Sequence, residues 1–223
     1  MADYKMEAAI AASKIISDGQ TIGLGAGSTI AHLVKMIKKD CKFTSSSFNT
    51  INLLRAHNLT VLPPSSLKKV DIYFDGCDQF DSELNALKSG GGIHTTEKIL
   101  ASMADEFILL GDAGKFVPQL NYPLVIEILP QALQVVLERL SVDFPDALLV
   151  LRMSNQKDGA VISDNGNFLL DVTFTKLPAL AGLNTHIKMI PGVVDHSLFY
   201  RMATKAIIAG EDGIQVIMPI YPA

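Results

Sequence analysis

The sequence predicts an α/β fold, with an open and largely parallel sheet domain followed by a smaller α+β domain. Three observations predict it. Short apolar runs alternate with helical patterns through the first half of the chain. A strand, a glycine-rich turn and a helix follow one another between Thr21 and Ile37. After Tyr122-Pro123 the pattern changes to strands separated by turn clusters.

The elements follow in order. Residues 2–17 are rich in Ala, Ile and Met and read as a helix that Asp18-Gly19 ends. Thr21-Ile22-Gly23-Leu24-Gly25 reads as a buried strand. Ile30, Leu33, Val34 and Ile37 then recur at helical spacing as far as Lys38-Lys39-Asp40. Residues 48–57 are helix-like, and residues 59–62 form a strand closed by Pro63-Pro64. Residues 70–74 form a strand that ends in Asp75-Gly76-Cys77-Asp78. Ser89-Gly90-Gly91-Gly92 is a loop, residues 95–104 a helix and residues 107–110 a strand. Beyond Pro123, residues 124–129 read as strand and 131–140 as amphipathic helix. Residues 148–153, 160–163 and 168–174 read as strands around the turn Asp164-Asn165-Gly166-Asn167. Residues 205–208 and 214–218 return to strand character and pair with the first domain. The expected domains are 1–123 plus 196–223, and 124–195.

Composition excludes several classes. The chain has 223 residues, 48% hydrophobic and 19% charged, which is globular rather than disordered. Nineteen basic residues against 23 acidic ones give a net charge of −4, so no nucleic-acid partner is expected. No apolar stretch approaches the ~18 residues of a membrane span. The opening MADYKMEAAIAASK mixes acids with bases and lacks a small-residue cleavage site, which speaks against a signal peptide. Two cysteines, Cys41 and Cys77, make neither a disulfide framework nor a zinc site. A cytoplasmic protein is expected.

Four segments carry chemistry. Gly23-Leu24-Gly25-Ala26-Gly27-Ser28-Thr29 leads from strand to helix, where free N–H groups suit a phosphate. It matches neither the dinucleotide fingerprint nor the P-loop. Its plain alternative is a βα turn with Ser28 as helix cap. Asp75-Gly76-Cys77-Asp78 puts two carboxylates at a strand's carboxyl end, where open α/β sheets hold ligands. Its alternative is a solvated turn. The neighbouring carboxylates are expected to raise the Cys77 pKa. Lys88-Ser89-Gly90-Gly91-Gly92 sets a cation beside a backbone that a ligand can approach closely. Glu97 falls in the first turn of the next helix, capped by Thr95 or Thr96, where a purely electrostatic role also fits. Lys115 follows a strand in Gly111-Asp112-Ala113-Gly114-Lys115. The five histidines form no metal-binding pattern.

Taken together, in this order and spacing, these segments resemble the type A ribose-5-phosphate isomerases. Pro123-Leu124-Val125-Ile126-Glu127-Ile128-Leu129-Pro130, Ser163-Asp164-Asn165-Gly166-Asn167 and Pro191-Gly192-Val193-Val194-Asp195 extend the match over nearly the whole chain. The resemblance implies a Rossmann-like sheet domain, a smaller ferredoxin-like domain and a homodimer or homotetramer. It implies conversion of ribose 5-phosphate to ribulose 5-phosphate in the pentose phosphate pathway, with no metal and no cofactor. It marks Glu97 as the proton-transferring carboxylate, with Asp75, Asp78 and Lys88 as further catalytic residues. Ala26, Gly27, Ser28, Thr29, Gly76, Cys77, Ser89, Gly90, Gly91 and Lys115 are the implied substrate contacts, shared with Asp75, Asp78 and Lys88. Lys5 adds charge near the phosphate.

The chain departs from the family pattern at four places. Ala26 stands for the usual Thr, Gln79 for Glu, Ser89 for Gly and Cys77 for Ala. The first two remove a hydroxyl and a charge, and Ser89 adds a side chain to the second loop. They leave a second reading, a sugar-phosphate-binding paralogue without turnover; a glutamate near glycine-rich loops also resembles acyl or coenzyme A transferases of related fold, a third reading.

Overall fold

The computed structural model describes residues 3–221. The chain runs α1 (Tyr4–Ser13), β1 (Thr21–Leu24), α2 (Ser28–Met36), β2 (Lys42–Ser45), α3 (Phe48–Ala56), β3 (Thr60–Val61) and β4 (Val70–Asp75). It continues with β5 (Gln79–Phe80), β6 (Ala86–Leu87), α4 (His94–Met103), β7 (Ala104–Asp112), β8 (Leu124–Ile128), α5 (Leu133–Asp143), β9 (Leu148–Leu151) and β10 (Phe168–Thr173). It closes with α6 (Leu180–Lys188), β11 (Val193–His196), β12 (Leu198–Phe199), β13 (Lys205–Gly210) and β14 (Gly213–Ile217).

The main sheet has the order β14-β13-β7-β4-β1-β2-β3. All its neighbours pair in parallel except β13 with β14. The apolar runs explain it: Ile22, Leu24, Phe43, Phe74, Ile108 and Leu110 are all buried together. Ile30, Leu33 and Val34 give α2 one buried face against the same core. From β1 the chain leaves to β2 on one side, and β4 lies on the other. The carboxyl ends of β1 and β4 therefore border a crevice where the strand order reverses.

The smaller sheet is antiparallel, in the order β11-β8-β10-β9. Its connectivity, β8-α5-β9-β10-α6-β11, is the split βαβ arrangement expected. Val136 and Leu140 of α5 and Leu183 and Ile187 of α6 share one core with Ile126, Ile128, Leu170 and Val172. A third sheet, β12-β6-β5, is built from two-residue strands, too short to show alternation in the sequence.

Several expectations need correction. The first helix starts at Tyr4 and stops at Ser13; Ala2 lies outside the described residues, as do the ends of the first expected domain at 1–2 and 222–223. Residues 160–163 form no strand, only single bridges between Met153 and Ala160 and between Ile162 and Phe168. The strand β2 and the helix α6 were not read in the sequence. Gly182 and Asn184 inside α6 and Pro178 before it break the helical pattern. Ser28 does not cap α2; the cap position is Gly27, with no side-chain bond to the first turn. Neither Thr95 nor Thr96 caps α4, whose cap position is Ile93.

Candidate active site

A cavity of about 350 Å³ opens at the carboxyl ends of β1, β4 and β7. That volume suits a small ligand. Backbone close approach shapes its floor. A methyl group on Gly25 would fall 1.9 Å from Asp75 Cγ, so only glycine leaves the aspartate its place. From there the next residues, Ala26 to Thr29, carry the wall into the first turn of α2.

Asp75 ends β4 and is fully buried. It accepts from Tyr73 Oη at 2.5 Å, Gly76 N at 2.7 Å and Ala26 N at 3.2 Å, and it pairs with Lys88 Nζ at 2.8 Å. Four donors compensate one buried carboxylate. Lys88 Nζ also lies 3.3 Å from Glu97 Oε2 and donates to Gly76 O at 2.5 Å. Asp78 has a different task. Its Oδ2 accepts from Ser89 N at 2.6 Å and Gly90 N at 3.2 Å, and so folds the second glycine loop back over the cavity.

The charges are arranged around Glu97, whose carboxyl is buried at the start of α4. Burial, reinforced by the Asp75 charge, pushes its pKa up to about 8 against the pull of Lys88. Desolvation outweighs the opposing Lys88 charge and hydrogen bond. Burial disfavours the Lys88 ammonium, but the Asp75 and Glu97 charges outweigh it and raise its pKa. Burial raises the Cys77 thiol to about 12. Asp75 and Asp78 raise it further, as expected, but burial is the larger cause, and the Lys88 and Lys115 charges oppose it.

The structure thus brings most of the expected residues together. Ala26, Gly27, Ser28, Thr29, Asp75, Gly76, Cys77, Asp78, Lys88, Gly90, Gly91, Glu97 and Lys115 line the cavity, as does Lys5. Leu110, Gly111 and Asp112 line it too, and were not singled out. Asp112 accepts from Gly114 N at 3.1 Å and shapes the turn that presents Lys115.

Comparison with known proteins identifies the family. Residues 42–213 match the model of the family described as ribose 5-phosphate isomerase A (phosphoriboisomerase A). The chain belongs to this family. It is 36% identical to ribose-5-phosphate isomerase of Homo sapiens over 94% of the chain and 70% of that protein. It is 35% identical to ribose-5-phosphate isomerase A of Pyrococcus abyssi over 96% of the chain and 97% of that protein. Among solved structures, ribose 5-phosphate isomerase A of Methanocaldococcus jannaschii superposes with a TM-score of 0.89 at 32% identity, covering 96% of this chain and 97% of that one. A D-ribose-5-phosphate isomerase in complex with phospho-erythronic acid gives 0.90 at 33% identity, with the same coverage.

Two departures from the family pattern turn away from the cavity. Gln79 binds the segment before Pro123: its Oε1 accepts from Asn121 N at 2.9 Å and Tyr122 N at 3.0 Å, and its Nε2 donates to Asn121 Oδ1 at 2.7 Å. Ser89, expected as a substrate contact, is not part of the cavity wall. Its hydroxyl donates to Pro123 O at 2.5 Å and lies 3.0 Å from Ser197 Oγ. Ala26 and Cys77 do line the cavity. Tyr73 escaped sequence reasoning because a buried strand tyrosine looks like any core aromatic. Its spacing of two from Asp75, on the same face of the strand, is the one available signal.

Proposed function

We infer that the chain interconverts D-ribose 5-phosphate and D-ribulose 5-phosphate through an enediolate, with Glu97 as the proton-transferring base. The observation that carries this is the Glu97 carboxyl, buried, raised to about 8 and 3.3 Å from Lys88. A base with a pKa near the working pH serves both halves of a proton shuttle.

Glu97 takes the proton from C2 of the open-chain aldose. The C–H electrons form the C1–C2 double bond, and the carbonyl pair moves onto O1. Lys88 supplies a fixed positive charge for that oxyanion. Glu97 then returns its proton to C1, while the O2 proton transfers to O1 and the ketone forms at C2. Ring opening needs one proton removed from the anomeric hydroxyl and one delivered to the ring oxygen; the Asp75, Asp78 and Lys88 group offers both kinds of site. Asp78 commits Oδ2 to the loop, and its other oxygen serves the sugar hydroxyls. The phosphate sits at the first turn of α2, which has no capping side chain, with Lys5 and Lys115 as counter-charges. Anchoring there fixes the reacting carbons beneath Glu97.

The test is conversion of ribose 5-phosphate to ribulose 5-phosphate by the intact chain and by Glu97→Gln, both treated with a chelator. Turnover that survives the chelator and falls by several orders of magnitude in the variant is expected. Full activity of Glu97→Gln would remove the base assignment. A folded chain that binds the sugar phosphate without converting it would favour the paralogue reading. We further place the protein in the cytoplasm as a homodimer or homotetramer. Its free thiols Cys41 and Cys77 suit a reducing compartment. Light scattering in solution tests the assembly.

A further inference from the structure

The catalytic segment from Lys88 to Glu97 belongs to the main domain by its chemistry, yet two charged residues of the smaller α+β domain grip it. Arg152 follows β9, and its backbone is tied down by Arg152 N donating to Leu169 O at 2.8 Å and by Val161 N donating to Arg152 O at 2.8 Å. Its guanidinium forms a fork with Asp171, Nε to Oδ2 at 3.0 Å and Nη2 to Oδ1 at 2.5 Å. The same Nη2 donates to Ser89 O at 3.0 Å, and Nη1 points at Gly90 O across 3.5 Å. Asp78 holds the amide side of this loop, so Arg152 holds the carbonyl side. The contact is close. Gly92 has φ of +67°, and a methyl group there would fall 2.6 Å from Leu169 Cδ1.

Glu127 is the penultimate residue of β8 and has no exposure. It accepts from Ser163 Oγ at 2.6 Å, Asn167 Nδ2 at 2.8 Å and Asn165 Nδ2 at 3.1 Å. Its other oxygen accepts from Thr95 Oγ1. Thr95 is in the first turn of α4, two residues before Glu97. A buried carboxylate with four donors is costly to build and rigid once built. Neither Arg152 nor Glu127 lines the cavity.

We propose that Arg152 and Glu127 are positioning residues of the isomerase site: Arg152 fixes the glycine loop through Ser89 O, and Glu127 fixes the Glu97 helix through Thr95. This rests on the reading of the loop as a substrate wall and of Glu97 as base. The two grips have separable consequences. Slack in the loop weakens substrate binding. A shifted first turn of α4 moves the base relative to Lys88 and C2, which slows the proton transfer.

The test compares Arg152→Met, Arg152→Lys, Glu127→Gln and Thr95→Val in the full chain, after circular dichroism confirms folding. Arg152→Met is expected to raise KM about tenfold or more with kcat within about threefold, since misplacement of an ångström costs up to about 100-fold. Arg152→Lys keeps one donor for Ser89 O and recovers part of the loss. Glu127→Gln and Thr95→Val are expected to lower kcat by about tenfold, leave KM in place and shift the acidic limb of the kcat profile together. Amide hydrogen exchange gives a readout independent of turnover: faster exchange at residues 89–92 in Arg152→Met and at 95–98 in Glu127→Gln. Folded variants with unchanged exchange there, or with KM unchanged and an apparent kcat lowered only in proportion to the folded fraction, overturn the proposal. Absence of turnover in the wild-type chain would sink the isomerase reading instead, and the exchange data would still decide the positioning.

Discussion

Tyr73 donates its phenolic hydrogen to Asp75 Oδ2 across 2.5 Å, with both side chains buried beneath the cavity floor. Burial first, then the Asp75 and Glu97 charges, raise the Tyr73 pKa well above its ordinary value. The phenol therefore stays a donor throughout the working range. Tyr73→Phe keeps the ring packed against Phe107 and removes only that hydrogen bond. The expected cost is about 1.5–3 kcal/mol of stability, the usual value for a hydrogen bond to a charged group. Chemical denaturation measures it. A loss below about 0.5 kcal/mol would mean that Asp75 finds a replacement donor.

Gly25→Ala tests the same carboxylate from the other side. The new methyl group cannot coexist with Asp75 where it lies. Either the aspartate or the β1 terminus must move, and Lys88 loses its nearest partner. Turnover is expected to fall by about 100-fold, the penalty for an ångström of misplacement. Gly25 does not lie in the left-handed region, so the variant tests the clash with Asp75 and not backbone strain. Turnover within about threefold of the parent would show that Asp75 keeps its place and count against the clash.

What the sequence made legible follows from the range of the interactions. β1, β4 and β7 are buried on both faces, so their apolar runs announce them. The cavity residues stand at the ends of those runs and could be named. Glu97 was visible only through its motif, because its raised pKa comes from burial that no local pattern reveals. Arg152 carried no signal, since the loop carbonyl it holds lies 63 residues earlier in the chain. Glu127 lies within a segment that matches the family, yet its four donors come from residues 32 to 40 positions away, and its role appears only in three dimensions. Gln79 misled in the other direction. Its place beside Asp78 suggested a charge lost from the site, whereas strand alternation in β5 turns the side chain toward Asn121.

Gln79→Glu is therefore expected to change little in catalysis. A glutamate there can still accept from the Asn121 and Tyr122 amides, and a flip of the Asn121 side-chain amide turns its Nδ2 donor toward the carboxylate oxygen that replaces Nε2. At a half-buried position, kcat/KM within about threefold of the parent and a stability change below about 1.5 kcal/mol are expected. Steady-state kinetics and thermal melting measure both. A gain in kcat/KM of tenfold or more, by order of magnitude, would show that charge at this position reaches the substrate after all.

Glu97 ties stability to pH with a sign opposite to that of an ordinary paired carboxylate. Its pKa is 4.5 in the unfolded reference and about 8 in the folded chain. Between these values the folded state binds a proton that the unfolded state has released. Stability is therefore fullest below pH 4.5 for this group, and is lost as pH rises through the window toward about 8. Glu97→Gln is neutral at every pH and removes this component. The difference in stability between variant and parent should widen from pH 5 to pH 8 in favour of the variant, by denaturant titration at each pH. The same group sets the acidic limb of kcat/KM, which reports the empty enzyme. Activity should rise toward a pKa near 8, because only the ionised carboxylate can take the C2 proton. Lys88→Met removes the charge that restrains the Glu97 pKa, so the limb should move to higher pH. An acidic limb that stays near 4.5 in the parent would mean that the site opens to water in solution and that Glu97 works as an ordinary exposed carboxylate.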